Sequence, residues 1–269
     1  HNQDEINRKD IRIGDTVIVE RAGDVIPKII KSISEKRPKN SVPFEIPKFC
    51  PDCNSNAHLN IDEAVWRCPN TSCISQIKGR IQHFCSRNAM DIDGLGEKII
   101  DQLVEQKLID SISGIYYLVK EDLLKLERLG EKSVGNLLAS IDESKRTTFS
   151  KFIFALGIRN VGEHISKLLE KYFKGDLEKF MNCSKEEIES IDGIGIIVSK
   201  NIEKFWNETT NIISVRKCIN SGVKLNYRNN EEGHQLSGKN FVFTGTLEKL
   251  NRSSAKITVE SLRAKLQGL

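Results

Sequence analysis

Four cysteines carry the clearest chemistry in this chain. Cys50 and Cys53 form one pair, Cys68 and Cys73 a second, with 14 residues between the pairs. Two thiolate pairs at this spacing can close a tetrahedral cage around Zn²⁺. Four protein ligands leave no open position for water or substrate, so a structural metal is expected and a catalytic one is not. Pro51 and the Pro69-Asn70 step lie inside the two knuckles. Both favour tight turns that aim backbone N–H groups at sulfur. The competing readings are four ordinary thiols or two disulfides, and Fe²⁺ or Co²⁺ could fill the same cage. Cys85, Cys183 and Cys218 remain outside the set. Scattered thiols beside a metal cluster suit a reducing, cytoplasmic compartment. Cys85 and His83 could be spare ligands, but cysteine on a helix is more often plain core.

A second constellation repeats four times. Ile92-Asp93-Gly94-Leu95-Gly96, Leu126-Glu127-Arg128-Leu129-Gly130, Ile158-Arg159-Asn160-Val161-Gly162 and Ile191-Asp192-Gly193-Ile194-Gly195 share one frame, with steps of 34, 32 and 33 residues between their third positions. Seven residues past each last glycine stands a large aliphatic: Leu103, Leu137, Leu169 and Ile202. That spacing predicts a glycine-rich hinge, then a helix with one buried face. The third position needs the positive φ that glycine and asparagine tolerate.

A helix that starts on glycine presents unpaired N–H groups and the positive end of its dipole, and a phosphate can approach closely. Such contacts hold a nucleic-acid backbone without reading sequence. The candidate contacts are Gly94, Gly96 and Lys98 in the first copy, and Gly130 and Lys132 in the second. Arg159, Asn160 and Gly162 serve in the third copy, Gly193 and Gly195 in the fourth. Lys98, Lys132 and His164 add a cation two residues past the glycine, whereas Ile197 leaves the fourth copy to its backbone. Arg128 stands where the first and fourth copies have glycine, so the second hairpin is expected to be the weakest contact. A period near 33 also fits helical protein-binding arrays, but their signature residues are missing.

These elements need positioning. The chain has 269 residues, 38% hydrophobic and 29% charged, with a net charge of +4. That balance suits folded protein of one to three domains and permits nucleic acid as a partner. No apolar run approaches membrane-spanning length. Residues 11–33 read as strands, with Pro27 marking an edge or a bulge. An OB-type barrel fits, but only about three of its roughly five strands precede Cys50. Lys36-Arg37-Pro38-Lys39 reads as a solvated basic turn. Residues 226–237 read as a linker, residues 240–247 as a strand and turn, and Ser253 to Lys265 as a helix. Both chain ends read as cut from something longer. The fold class is therefore multidomain α+β. Its expected parts are a partial OB domain (1–45), a zinc finger (46–75), an all-α array of four hairpins (76–225), a linker (226–236) and a truncated α/β end (237–269).

In this order the pieces resemble bacterial NAD-dependent DNA ligases over essentially the whole chain. Ile13-Gly14-Asp15-Thr16-Val17 and Arg21-Ala22-Gly23-Asp24-Val25-Ile26-Pro27 are similar to that family's OB motif. Leu156-Gly157-Ile158-Arg159-Asn160-Val161-Gly162 is a specific match among the hairpins, and Phe243-Thr244-Gly245-Thr246-Leu247 resembles the start of a BRCT domain, although Arg263 stands where that domain usually has glycine. The resemblance implies the C-terminal portion of an enzyme that seals 5′-phosphate/3′-hydroxyl nicks in duplex DNA during replication and repair. It implies NAD and Mg²⁺ for the parent enzyme only. It adds Arg21 as a backbone contact, and Lys28, the residue after that motif, is a further candidate DNA contact.

The family's Lys-x-Asp-Gly nucleophile does not occur in this sequence, so the chain alone is expected to be inactive and to carry no catalytic or cofactor-binding residue of its own. It is expected to be a monomer in the bacterial cytoplasm, associated with the nucleoid, and to prefer nicked duplex. A stand-alone DNA-binding module and a zinc-ribbon adaptor for proteins remain as alternatives.

Overall fold

The computed structural model describes residues 2–22, 26–59, 65–227 and 239–243, with a few further positions between 255 and 266. It is helix-rich α+β with three small two-stranded sheets. No helix among the described residues is long and apolar enough to cross a membrane.

The first element, α1 (Gln3–Arg8), is capped by Asn2, whose Oδ1 accepts from the Asp4 amide at 3.0 Å. Strands β1 (Val17–Ala22) and β2 (Ile26–Ser32) pair antiparallel. No barrel closes among the described residues. The register skips Ile30 opposite the Ile18–Val19 step, so the bulge lies on β2, while Pro27 sits opposite Arg21 near the turn. Arg37 is no solvated turn residue. Its guanidinium donates to Asp15 at 2.9 Å and also reaches Asp10 and Ser32. The Asp15 side chain is 1% exposed. This clamp ties the loop after β2 to the turn before β1.

The helical array starts with α2 (Ile74–Cys85) and α3 (Glu97–Glu105), then α4 (Lys120–Leu123) and α5 (Glu131–Ser144). It continues after the short strand β3 (Arg146–Thr148) with α6 (Phe149–Ala155), α7 (Glu163–Phe173), α8 (Leu177–Asn182) and α9 (Lys185–Glu189). It ends with α10 (Ile196–Asn207), α11 (Thr209–Asn220) and β4 (Lys224–Asn226). One core runs through it. Leu103, Leu137, Leu169 and Ile202 are all buried there, as the repeat frame required. The aromatic centre is Phe180, packed edge-on against Phe149 and Trp206.

β3 and β4 pair in parallel, and the Lys224 amide donates to the Lys145 carbonyl at 2.7 Å. Neither strand is marked in the sequence, since three polar-leaning residues show no alternation. Beyond the array, β5 (Asn240–Phe241) pairs in parallel with β6 (Lys265–Leu266). Lys265 is thus strand and not the end of a helix. Helical residues are described at 255, 258 and 259. The turn at Thr244-Gly245-Thr246-Leu247, most of the 226–237 linker, and Arg263 lie outside the described residues.

Candidate metal centre and nucleic-acid interface

The four cysteines meet. Their Sγ atoms all lie within 4.8 Å of one another, with Cys50–Cys73 at 3.9 Å and Cys53–Cys68 at 3.5 Å. A tetrahedral zinc with Zn–S near 2.3 Å needs sulfurs about 3.8 Å apart, so the donor set fits the ion. Backbone geometry builds the cage. The Cys50 amide donates to Ser55 O, the Asn54 amide donates to Cys50 O, and Asn54 takes a left-handed φ of 57° to close the knuckle. His58 and Arg67 exchange amide hydrogen bonds and hold the second pair alongside. This is an isolated bridge and belongs to no longer strand among the described residues.

Cys73 is the N-cap of α2, with an extended backbone and no side-chain cap bond. Burial pushes Cys68 up to about 12 and raises Cys73, while hydrogen bonding with Ser55 lowers Cys53 to about 6. Four sulfurs this close together repel one another as thiolates unless a cation sits among them. His83 and Cys85 stand apart from the cage. His83 Nε2 pairs with Phe154 O at 2.7 Å, and Cys85 is buried, its thiol raised to about 12.

α2 couples the metal to the array. Its N-terminus carries Cys73, Ser75 Oγ donates to Asp52 at 2.6 Å, and Arg80 bonds the Thr71 carbonyl. Its other end buries Ile81, Phe84 and Cys85 in the helical core.

The four hairpins share one backbone. The third positions of the frame all have positive φ: Gly94 91°, Arg128 66°, Asn160 61° and Gly193 86°. Arg128 follows the frame against its own side-chain preference. The fifth positions, Gly96, Gly130, Gly162 and Gly195, are the N-caps of α3, α5, α7 and α10. Their backbone is extended and none makes a side-chain cap bond. A Cβ added at any of the four would meet nothing within 4 Å.

The hairpins work in pairs. A Cβ on Gly94 would touch Leu137 of α5 at 3.5 Å, and the Asp93 amide donates to Ser140 Oγ. In return the Glu127 amide of the second hairpin donates to Gln102 of α3 at 2.7 Å. A Cβ on Gly193 would press on Leu168 of α7 at 3.0 Å. Each tandem therefore packs one hairpin's turn on the other hairpin's helix.

Lys98, Lys132 and Arg159 are exposed on the tips. Arg21 and Lys28 are not brought together. Arg21 pairs with Pro27 and Lys28 with Glu20, so the two side chains point to opposite faces of the β1–β2 ribbon. Gly157, whose φ is 67° and whose Cβ would press on His83 at 3.3 Å, was visible in the sequence only as part of a motif.

Family models match along this layout. The NAD-dependent DNA ligase OB-fold domain matches residues 1–41 and the NAD-dependent DNA ligase C4 zinc finger domain residues 49–74. A SAM-like helix-hairpin-helix tandem matches 86–143 and a helix-hairpin-helix motif 151–215, the same two pairs that the packing defines. The DNA ligase of Syntrophus aciditrophicus is 47% identical over 268 residues, covering 100% of this chain and 40% of the relative. That of Desulfosudis oleivorans is 43% identical over 272 residues, with the same coverage. That of Listeria monocytogenes serotype 4b is 45% identical over 275 residues, covering 100% of this chain and 41% of the relative. The chain is homologous to part of the NAD-dependent DNA ligases. It spans about two fifths of the length of the curated relatives it matches. The match to the ligase C4 zinc finger spans Cys50, Cys53, Cys68 and Cys73, and their close sulfurs support a structural zinc.

Proposed function

We propose that this chain is the DNA-clamping portion of an NAD-dependent DNA ligase that seals nicks in duplex DNA. The carrying observation is the set of four N-cap glycines. Their φ values suit any residue, and no protein atom occupies the space where a side chain would stand. Serine, threonine or aspartate would cap these helices better. All four positions forgo that bond and keep their amides clear, which fits close approach by a phosphate from outside.

In this reading the first tandem offers Gly94, Gly96, Lys98, Gly130 and Lys132 to the backbone. The second offers Arg159, Asn160, Gly162, Gly193 and Gly195. The fourth hairpin relies on its amides, because Ile196 and Ile197 take the places of Glu-Lys or Glu-His in the other copies. Arg21 and Lys28 contact DNA from the OB portion. The parts divide at about residues 45, 75 and 225, followed by a linker to 236 and a BRCT-type end. The zinc finger fixes how the chain enters the array. In the whole enzyme NAD supplies the AMP and Mg²⁺ serves the adenylating domain. The 3′-hydroxyl then attacks the adenylated 5′-phosphate and AMP leaves. This chain's part is to hold both strand ends in register, turning an encounter into a positioned reaction.

The test is titration of the zinc-loaded chain against nicked and intact duplex at low and moderate salt, with and without a chelator. Binding that weakens steeply with salt and needs metal is the expected result. A zinc-loaded, helical chain that binds neither duplex overturns the proposal and favours a protein-binding adaptor.

A further inference from the structure

One cleft of about 340 Å³ lies outside the hairpin tips, at the junction of the two tandems. Arg87, Asn88 and Asp91 come to it from the segment that leads into the first hairpin. Ser150, Lys151 and Phe154 come from α6, and Glu163 and Lys167 from α7. Asp91 immediately precedes Ile92, the first residue of hairpin 1. Glu163 immediately follows Gly162, the last of hairpin 3. The cleft therefore adjoins one tip of each tandem.

Its cations are unneutralised. Lys151, Lys167 and Arg87 are exposed, and none makes an ion pair with any carboxylate among the described residues. Two carboxylates, Asp91 and Glu163, share the lining and leave the cations in excess. Lys167 stands one helical turn from Glu163, a spacing that often pairs, and still does not. Elsewhere the array readily pairs its lysines. Lys78 bridges Asp101 and Glu105, and Lys120 bridges Glu131. Cations held apart from nearby carboxylates, in a concave seat between two backbone-binding tips, suit a phosphodiester that continues from one tip to the other.

We infer that this cleft is a phosphate seat for duplex DNA, with Lys151 and Lys167 as its cationic ligands, joining the tracks of the first and third hairpins. The inference rests on the DNA-clamping proposal and adds a contact that none of the hairpin glycines provides.

The experiment compares the zinc-loaded 269-residue chain with Lys151→Gln/Lys167→Gln, with Lys151→Arg/Lys167→Arg and with Gly96→Ala, each bound to nicked duplex over a series of salt concentrations. Zinc content and circular dichroism confirm that every variant is folded. The glutamine pair should weaken binding and flatten the plot of log K against log salt by about one per lost contact, about two in all. The arginine pair should keep the parent slope. Unchanged affinity and slope in the glutamine pair, while Gly96→Ala weakens binding, overturns the seat and leaves the clamp standing. Loss of binding in the arginine pair as well assigns these lysines a structural role and also overturns it. No salt-dependent binding by the parent chain removes both readings.

Discussion

The amide of Asp93 donates to Ser140 Oγ at 2.8 Å across 47 residues of sequence. One hydroxyl on α5 thus fixes the turn of a hairpin formed two elements earlier. Ser140→Ala leaves that amide without its partner at a partly solvated site. The expected cost is about 1 kcal/mol, read from the urea midpoint of the zinc-loaded chain. DNA affinity should fall with it, because the displaced turn carries Gly94 and Gly96.

The glycines of one hairpin should separate into two kinds. Gly94→Ala and Gly193→Ala force a side chain onto left-handed backbone against Leu137 and Leu168. Each should cost roughly 1–2 kcal/mol of stability. Gly96→Ala and Gly162→Ala meet empty space, so their stability should change by no more than about 1 kcal/mol. Their DNA affinity should nevertheless drop clearly in a binding titration. Equal loss of stability in both kinds would mean that the N-cap glycines serve the fold.

The fourth hairpin can be given the cation it lacks. Ile196 and Ile197 are 59% and 64% exposed, so a polar replacement breaks no core. Ile197→Lys should tighten DNA binding at low salt and steepen the salt slope by about one.

Metal and fold should be inseparable near α2. One zinc per chain is expected by elemental analysis. Cys73→Ser or chelation should remove it and unravel residues 48–73, while the rest of the helical signal persists. Acid should release the metal too, since protonated thiols are poor ligands.

The Arg37 clamp predicts a distinct pH response. Its guanidinium holds Asp15 below the ordinary carboxylate range, and Asp10 likewise with help from Arg12. A depressed carboxylate stabilises the fold above its unfolded value of about 3.9, and that contribution is lost as pH falls through the folded value. Arg37→Ala should therefore melt earlier than the parent at pH 7. The gap should stay constant to about pH 5 and narrow below about 4, where both carboxylates protonate.

Much of the site was legible because glycine and cysteine spacing carry geometry directly. The cage followed from four positions, and the buried faces from one aliphatic per repeat. Arg128 was legible only as a departure from the glycine pattern, and its left-handed φ of 66° shows that the frame overrides the side chain. What stayed hidden depends on tertiary approach. Arg37 looks like any basic turn until Asp15, 22 residues away, folds against it. β3 and β4 are too short and polar to show a period. Lys265 sits at the end of an amphipathic run, and only its pairing with Asn240 makes it strand.

That β3–β4 pair has a mechanical consequence. It joins Arg146 to Lys224, so the whole second tandem hangs as a loop from a staple of three residue pairs. Because the strands are parallel, tension enters at the start of β3 and leaves at the end of β4. The ladder is then loaded in shear, with its bonds sharing the force instead of opening one by one. A pull along the chain therefore runs through the staple first and reaches the second pair of hairpins only once those three pairs part.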